Sequence, residues 1–182
     1  MFLKNYFSFG AVSVLVALAG QGHAASICPA DTTSMGVKGK IFNNAVSPGT
    51  TLGNAHLKFA NGKTMKCGIL GSGGVGADGT VNFVHQLVCD DSLSVTNPYT
   101  GRLETVHSQL TLNTSGTGAF YACVPNMPQA GSYGSFDEIS VPTSGRGMFQ
   151  GVTAGRIVIE GTINCQFAID MEFQGEICLP AN

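Results

Sequence analysis

The chain has 182 residues, of which 43% are hydrophobic and 11% charged, with 25 glycines and no tryptophan. That is enough apolar residue for one domain with a core, and it excludes a disordered polar tail. A formal net charge of −2 excludes the basic surface of a nucleic-acid binder, and glycines without a Gly-X-Y period exclude a collagen-like chain.

The first segment reads as an address. Lys4 supplies a positive charge, residues 11–19 (AVSVLVALA) are apolar, and Gly22 and Ala24 are small residues at the −3 and −1 positions. This is the tripartite pattern of a secretory signal over residues 1–24, with cleavage expected between Ala24 and Ala25. The apolar run is shorter than the roughly 18 to 20 residues that span a bilayer. No membrane span is therefore expected in the mature chain, 25–182, which reads as one domain of 158 residues with eight basic and eleven acidic groups. The expected location is secreted or periplasmic.

All six cysteines (Cys28, Cys67, Cys89, Cys123, Cys165, Cys178) lie after the signal. In an exported chain an even set reads as disulfides, and six allow 15 connectivities. No Cys-x-x-Cys pair and no zinc-finger histidine spacing is present, so neither a metal site nor a redox centre is expected, and no cofactor is implied. Cys28 and Cys178 are expected to tie the termini together. Cys67–Cys89 is disfavoured: a strand 63–70 turning at 71–79 into a strand 80–89 would place Cys67 near Phe83. The two cysteines would then lie about 20 Å apart, beyond bridging reach.

From Met35 onward the chain alternates with period two, as a strand with one face in a core requires. In chain order the apolar faces are Met35-Val37-Gly39-Ile41, Ala55-Leu57-Phe59, Met65-Cys67-Ile69, Val81-Phe83-His85-Leu87-Cys89 and Val106-Leu110-Leu112. A long C-terminal face then runs from Ile157 to Leu179, with a break expected near Asn164–Gln166. Breakers at 47–49, 61–62, 71–79, 97–98, 115–116 and 125–134 punctuate a meander. Residues 125–147 read as an elaborated loop. Without helical periodicity, the expected fold is a closed antiparallel β-barrel of about eight strands stapled by disulfides. A β-sandwich is the alternative. Alternation alone leaves open which face is the lumen.

The segment 145–155 (GRGMFQGVTAG) is the most distinctive. No Gly-Lys-Ser/Thr follows and the next residues read as strand, so it is neither a phosphate loop nor a dinucleotide fingerprint. Its glycines suit a strand that bends or meets another backbone closely. This Gly-x-Gly-x-Phe-x-Gly-Val-x-x-Gly run resembles the corresponding stretch in the barrels of the allene oxide cyclase and dirigent group. The resemblance implies a calycin-like eight-stranded antiparallel barrel with a lumen able to hold an apolar small molecule. The group includes cyclases and proteins that steer coupling reactions. Its acidic and tyrosine catalytic residues are not matched in this chain, so no activity is carried over.

Among single residues, His85 stands on the apolar parity between Phe83 and Leu87, near Met65 in the register assumed above. It is the one catalytic candidate, as a lumen acid–base group, against the more frequent case of a core histidine with satisfied nitrogens. Phe83, His85, Leu87 and Met65 form the candidate ligand-facing set. His56 and His107 stand on polar parities and read as surface. Asp90-Asp91 and Asp137-Glu138 read as solvated carboxylates, because no Asp-x-Asp-x-Asp-Gly calcium loop accompanies them. Glu104 has no nameable partner for glycosidase chemistry.

The reading that follows is a non-enzymatic exported barrel. It would bind a small apolar molecule or present the loop 125–147, with Met127, Tyr133 and Phe136, to an extracellular macromolecule. The alternatives are an isomerase or cyclase acting in the lumen and an extracellular structural subunit.

Overall fold

The computed structural model describes residues 26–123 and 132–181; the signal segment and its cleavage point lie outside the described residues. Ten strands follow in chain order: β1 (Thr32–Ser47), β2 (Thr50–Phe59), β3 (Thr64–Val75), β4 (Thr80–Cys89), β5 (Leu93–Thr96), β6 (Leu103–Val106), β7 (Gln109–Phe120), β8 (Ser132–Arg146), β9 (Ala154–Asn164) and β10 (Ala168–Pro180). Eight of them close into an antiparallel barrel in the order β1-β10-β9-β8-β7-β4-β3-β2, while β5 and β6 form a separate ribbon. Among the described residues no helix is long and apolar enough to cross a membrane.

The apolar face of the alternation is the one that turns inward. Val37 and Ile41, Leu57 and Phe59, Ile69, Leu87, Leu110, Ile157 and Ile159 all fall on inward parities and are buried, while Lys38, Lys40, Lys58 and Lys66 point out. Side chains from every strand therefore meet in one lumen, as a barrel of this size requires. The break expected in the C-terminal face falls at 165–167, where β9 turns into β10. There Asn164 Oδ1 accepts from the backbone of Gln166 and Ala168.

The lumen is not filled evenly. At one end the β8–β9 connection folds a 3-10 turn, Gly147–Phe149, into the barrel mouth. Phe149 is wholly buried there, its ring centroid 6.3 Å from that of Phe59. The turn is pinned by a polar relay, in which the Met148 N–H donates to Ser108 Oγ at 2.8 Å, and Ser108 donates from its backbone and its hydroxyl to Asp91. Asp90 accepts the Lys66 N–H. These two acids thus hold backbone in place and are not merely solvated. The run 145–155 is this connection, not a bent strand: Gly147 and Gly151 adopt φ of 63° and 73°, conformations that a side chain disfavours.

Three further expectations change. First, β3 continues through the glycines to Val75, because they retain extended backbone; the hairpin turn is confined to 76–79 and Val75 pairs with Val81. That lengthening brings Cys67 directly opposite Cys89, and they form a disulfide with Cα atoms 3.8 Å apart. The disfavoured pair is therefore a real one. Second, Ser115-Gly116 is the interior of β7, not a turn. Third, residues 132–146, expected within a loop, are β8. Its inward residues include Glu138 and Ser140, and its outward ones Ile139 and Val141, so the pattern is inverted relative to a core strand. Pro142, which lacks an N–H, sits beside the bulge where β8 slips against β7. The other two disulfides are Cys28–Cys178, as expected, and Cys123–Cys165.

Cys28–Cys178 and Cys67–Cys89 are separated by 150 and 22 residues. Chain-entropy scaling gives the longer loop about 5 kcal/mol and the shorter about 3 kcal/mol of stabilisation. Paired alanine variants followed by denaturant unfolding are expected to preserve that order, and a non-reduced peptide map is expected to recover a Cys67–Cys89 linked fragment.

Candidate functional site

Opposite the plugged end, the barrel holds an open cup of about 610 Å³. Four hairpin ends surround it: the β1–β2 turn, the end of β3 with the start of β4, the end of β7 with the start of β8, and the β9–β10 turn. The walls are apolar: Val81, Phe83, Phe120, Phe136, Ile163, Phe167, Ile169 and Met171. Phe120 and Phe136 stack with centroids 6.5 Å apart. At the lip, Phe167 holds φ of 63°, a left-handed backbone that costs an ordinary side chain roughly 1–2 kcal/mol. That conformation is kept where a phenyl ring lines the mouth.

The floor is polar. His85 is 5% exposed, its ring stacked on Phe83 at 5.7 Å, with Nδ1 2.9 Å from Thr114 Oγ1. Thr114 Oγ1 in turn lies 2.5 Å from Ser140 Oγ. This relay can run in either sense, leaving Nε2 an acceptor when Nδ1 donates and a donor when it does not. Gly71, directly opposite His85, makes the arrangement possible, since a Cβ there would collide with Thr51 Oγ1 and the imidazole. Asn43 and Thr51 meet nearby, Nδ2 to Oγ1 at 3.4 Å.

Glu138 is the other buried titratable group. It is 4% exposed, lies two residues before Ser140 on β8 and lines the cup. Gly116 on β7 and Ile159 on β9 are its register partners, so no side chain of opposite charge stands beside it in the sheet. Burial without a compensating cation pushes its carboxyl up to about 7, and burial pushes the His85 imidazole down to about 4. Among the described residues neither Glu138 Oε2 nor Asn43 Oδ1 has a hydrogen-bond partner. A buried acceptor left this way is costly, which makes each of them a place to look for a ligand.

Of the residues singled out from the sequence, Phe83 and His85 line the cup. Leu87 lies below it beside His85, around a residual void of about 20 Å³. Met65 lines neither space: it pairs with Leu57 toward the plugged end, and the true register sets Gly71, not Met65, opposite His85. Phe136, expected on a loop surface, is buried in the cup wall, while Met127 and the Tyr133 side chain lie outside the described residues. His56, His107 and Glu104 are exposed. His107 Nδ1 lies 2.7 Å from the Asp91 carbonyl, and Glu104 accepts from Asn97. No group of metal-ligating side chains occurs among the described residues. Glu138, read from the sequence as a solvated carboxylate, is buried, and Thr114 and Ser140 were missed; the signal that could have placed Glu138 and Ser140 is the alternation Phe136-x-Glu138-x-Ser140-x-Pro142.

Compared with protein-family models, curated proteins and solved structures, the chain finds no match in any of the three. The resemblance to the allene oxide cyclase and dirigent group therefore stands on residues 145–155 alone.

The two buried groups set opposing pH dependences. Native Glu138 holds its proton more tightly than the unfolded chain does, so its contribution to stability is full below about pH 4.5 and gone above about 7. Native His85 holds its proton less tightly, so its contribution is full above about 6.5 and lost as pH falls to about 4. As pH rises, Glu138→Gln is expected to gain stability relative to wild type between about 4.5 and 7. His85→Gln is expected to lose stability relative to wild type between about 4 and 6.5. Each divergence is on the order of 3 kcal/mol across its window, measured by urea unfolding at stepped pH.

Proposed function

We propose that this chain is an exported binding protein, cleaved between Ala24 and Ala25, that carries a small, largely apolar molecule in the cup. The observation that carries the reading is an apolar-walled cavity of about 610 Å³ with a few convergent polar groups on its floor. That size and composition suit a small-molecule site. The three disulfides fit an oxidising compartment, secreted or periplasmic. The weak resemblance of 145–155 to the allene oxide cyclase and dirigent group points the same way, since barrels of that group can hold apolar molecules. The structural-subunit alternative gains no support from the barrel, whose eight strands leave no open edge for strand donation.

A second reading has one observation behind it. A buried carboxyl that titrates near 7 on a cavity wall is what a general base for proton abstraction needs. An isomerase or cyclase would thus work through Glu138, with the neutral His85 beside a developing oxyanion, and not through His85 as base.

Nile red, an uncharged dye whose emission shifts blue in apolar surroundings, is expected to bind one per chain. Ala45→Trp, which fills the mouth from a half-buried lining position, is expected to abolish that binding while the chain still unfolds cooperatively. Unchanged dye binding in this variant would remove the cup from consideration. The catalytic reading is checked with 2-tetralone in deuterium oxide: a carrier returns it deuterated only at the buffer rate, whereas a catalyst accelerates exchange and Glu138→Gln abolishes the acceleration.

A further inference from the structure

We infer that the cup is built for a hydrophobic amine, an apolar body of aromatic size whose protonated nitrogen donates to Glu138. This deepens the binding reading above and rests on it.

The two unpartnered atoms on the floor are both acceptors, Glu138 Oε2 and Asn43 Oδ1, on side chains 4% and 3% exposed. A neutral hydroxyl offers one donor and brings its own lone pairs. An ammonium offers up to three donors and no acceptor, and so matches the unpartnered acceptors of the floor. The charge environment has the same sign. Among the residues lining the cup there is no Lys or Arg, and the titratable ones are His85 and Glu138. A carboxylate or phosphate ligand would enter without a cation to meet it.

The elements packed around Glu138 agree. On β7 its register partner is Gly116 and on β9 it is Ile159, while Asp137 and Glu160 face each other on the outer side of the same two strands. Lys40, on β1, pairs at 2.7 Å with Glu172, the β10 neighbour of Glu160, on the outer surface and does not line the cup. His85, on β4, is buried and held neutral across the floor. The walls add four phenyl rings, Phe83, Phe120, Phe136 and Phe167, whose electron-rich faces attract an ammonium once water is excluded.

The wall near Glu138 is thus prepared for a cation that the protein itself does not supply. A proton occupies the carboxyl in its place at low pH. Amine binding must then displace that proton into solvent, and the affinity rises as the carboxyl ionises.

The test uses three probes with one skeleton: 1-naphthylmethylamine, 1-naphthylmethanol and 1-naphthoate, titrated calorimetrically into the mature, oxidised protein. At about pH 8 the amine is expected to bind at least about tenfold more tightly than the alcohol, a factor worth about 1.4 kcal/mol. At about pH 5, where Glu138 is protonated, the preference is expected to shrink below about threefold, with proton release visible as a buffer-dependent heat. Glu138→Gln is expected to remove the preference at the higher pH and leave the alcohol's affinity within about twofold. An alcohol bound as tightly as the amine by the wild-type protein, or a naphthoate bound most tightly, overturns the amine assignment while leaving the cup a binding site. A preference that survives Glu138→Gln overturns the role of that carboxyl. If none of the three probes binds, the binding reading falls as well.

Discussion

Everything in this molecule depends on the pairing of its first long strand with its last. β1 runs beside β10 from Thr32 opposite Pro180 to Asn44 opposite Ala168. Without that seam the remaining strands are an open sheet with two long edges and no enclosed lumen. The contacts that close it join residues more than 120 positions apart, so the loop entropy is largest where the rewards come last. Cys28–Cys178 is placed at this seam. The Glu176 carboxylate, which accepts from Ser26, Ser34 and the Ile27 backbone, holds the incoming segment against β10.

Once the barrel is closed, side-chain size along each strand decides where it is solid. Toward the β8–β9 connection the inward residues are large, and Phe149 enters from outside the sheet to finish the packing against Phe59. Midway, largely aliphatic residues from seven of the eight barrel strands leave almost no void. Toward the other end Gly71, Thr114, Gly116 and Ser140 replace them, and the space they do not fill becomes the cup. Of these, Thr114 and Ser140 also carry hydrogen bonds of the floor, and Gly71 and Gly116 leave room where even a Cβ would collide with a neighbour.

The parts that follow the period-two rule were legible from the residues. Val81 to Cys89, Ala55 to Phe59 and the long face from Ile157 onward gave strands, inward faces and the break near Asn164 because burial and alternation agree there. The barrel itself follows from many such strands without helices. Three regions resisted for physical reasons. Glycines at 71–75 permit extended backbone and turn alike, so sequence could not say where β3 ends, and a few residues of error moved Cys89 away from Cys67. The run 145–155 offered a pattern of glycines but not the long-range packing of Phe149 that folds it. In β8 the alternation is reversed, with Glu138 and Ser140 inside and Ile139 and Val141 outside, so a rule based on burying apolar residues reads it as loop. Glu138 and Ser140 escaped as site residues because they lie on the strand that breaks the pattern. His85 was visible because it interrupts an otherwise apolar face.

If the cup holds a ligand as proposed, the Phe149 plug has a kinetic meaning for it. A barrel sealed at one end has a single door, so entry and exit follow one path, past the lip that carries Phe167. Groups on the floor act only on the bound state and set the residence time through the dissociation rate. A change confined to the lip alters the barrier that both directions share, speeding or slowing arrival and departure by the same factor and leaving the equilibrium where it was. Under the proposed binding role, affinity would then rest on the mid-strand groups of the floor and exchange rate on the lip, and either could drift without the other.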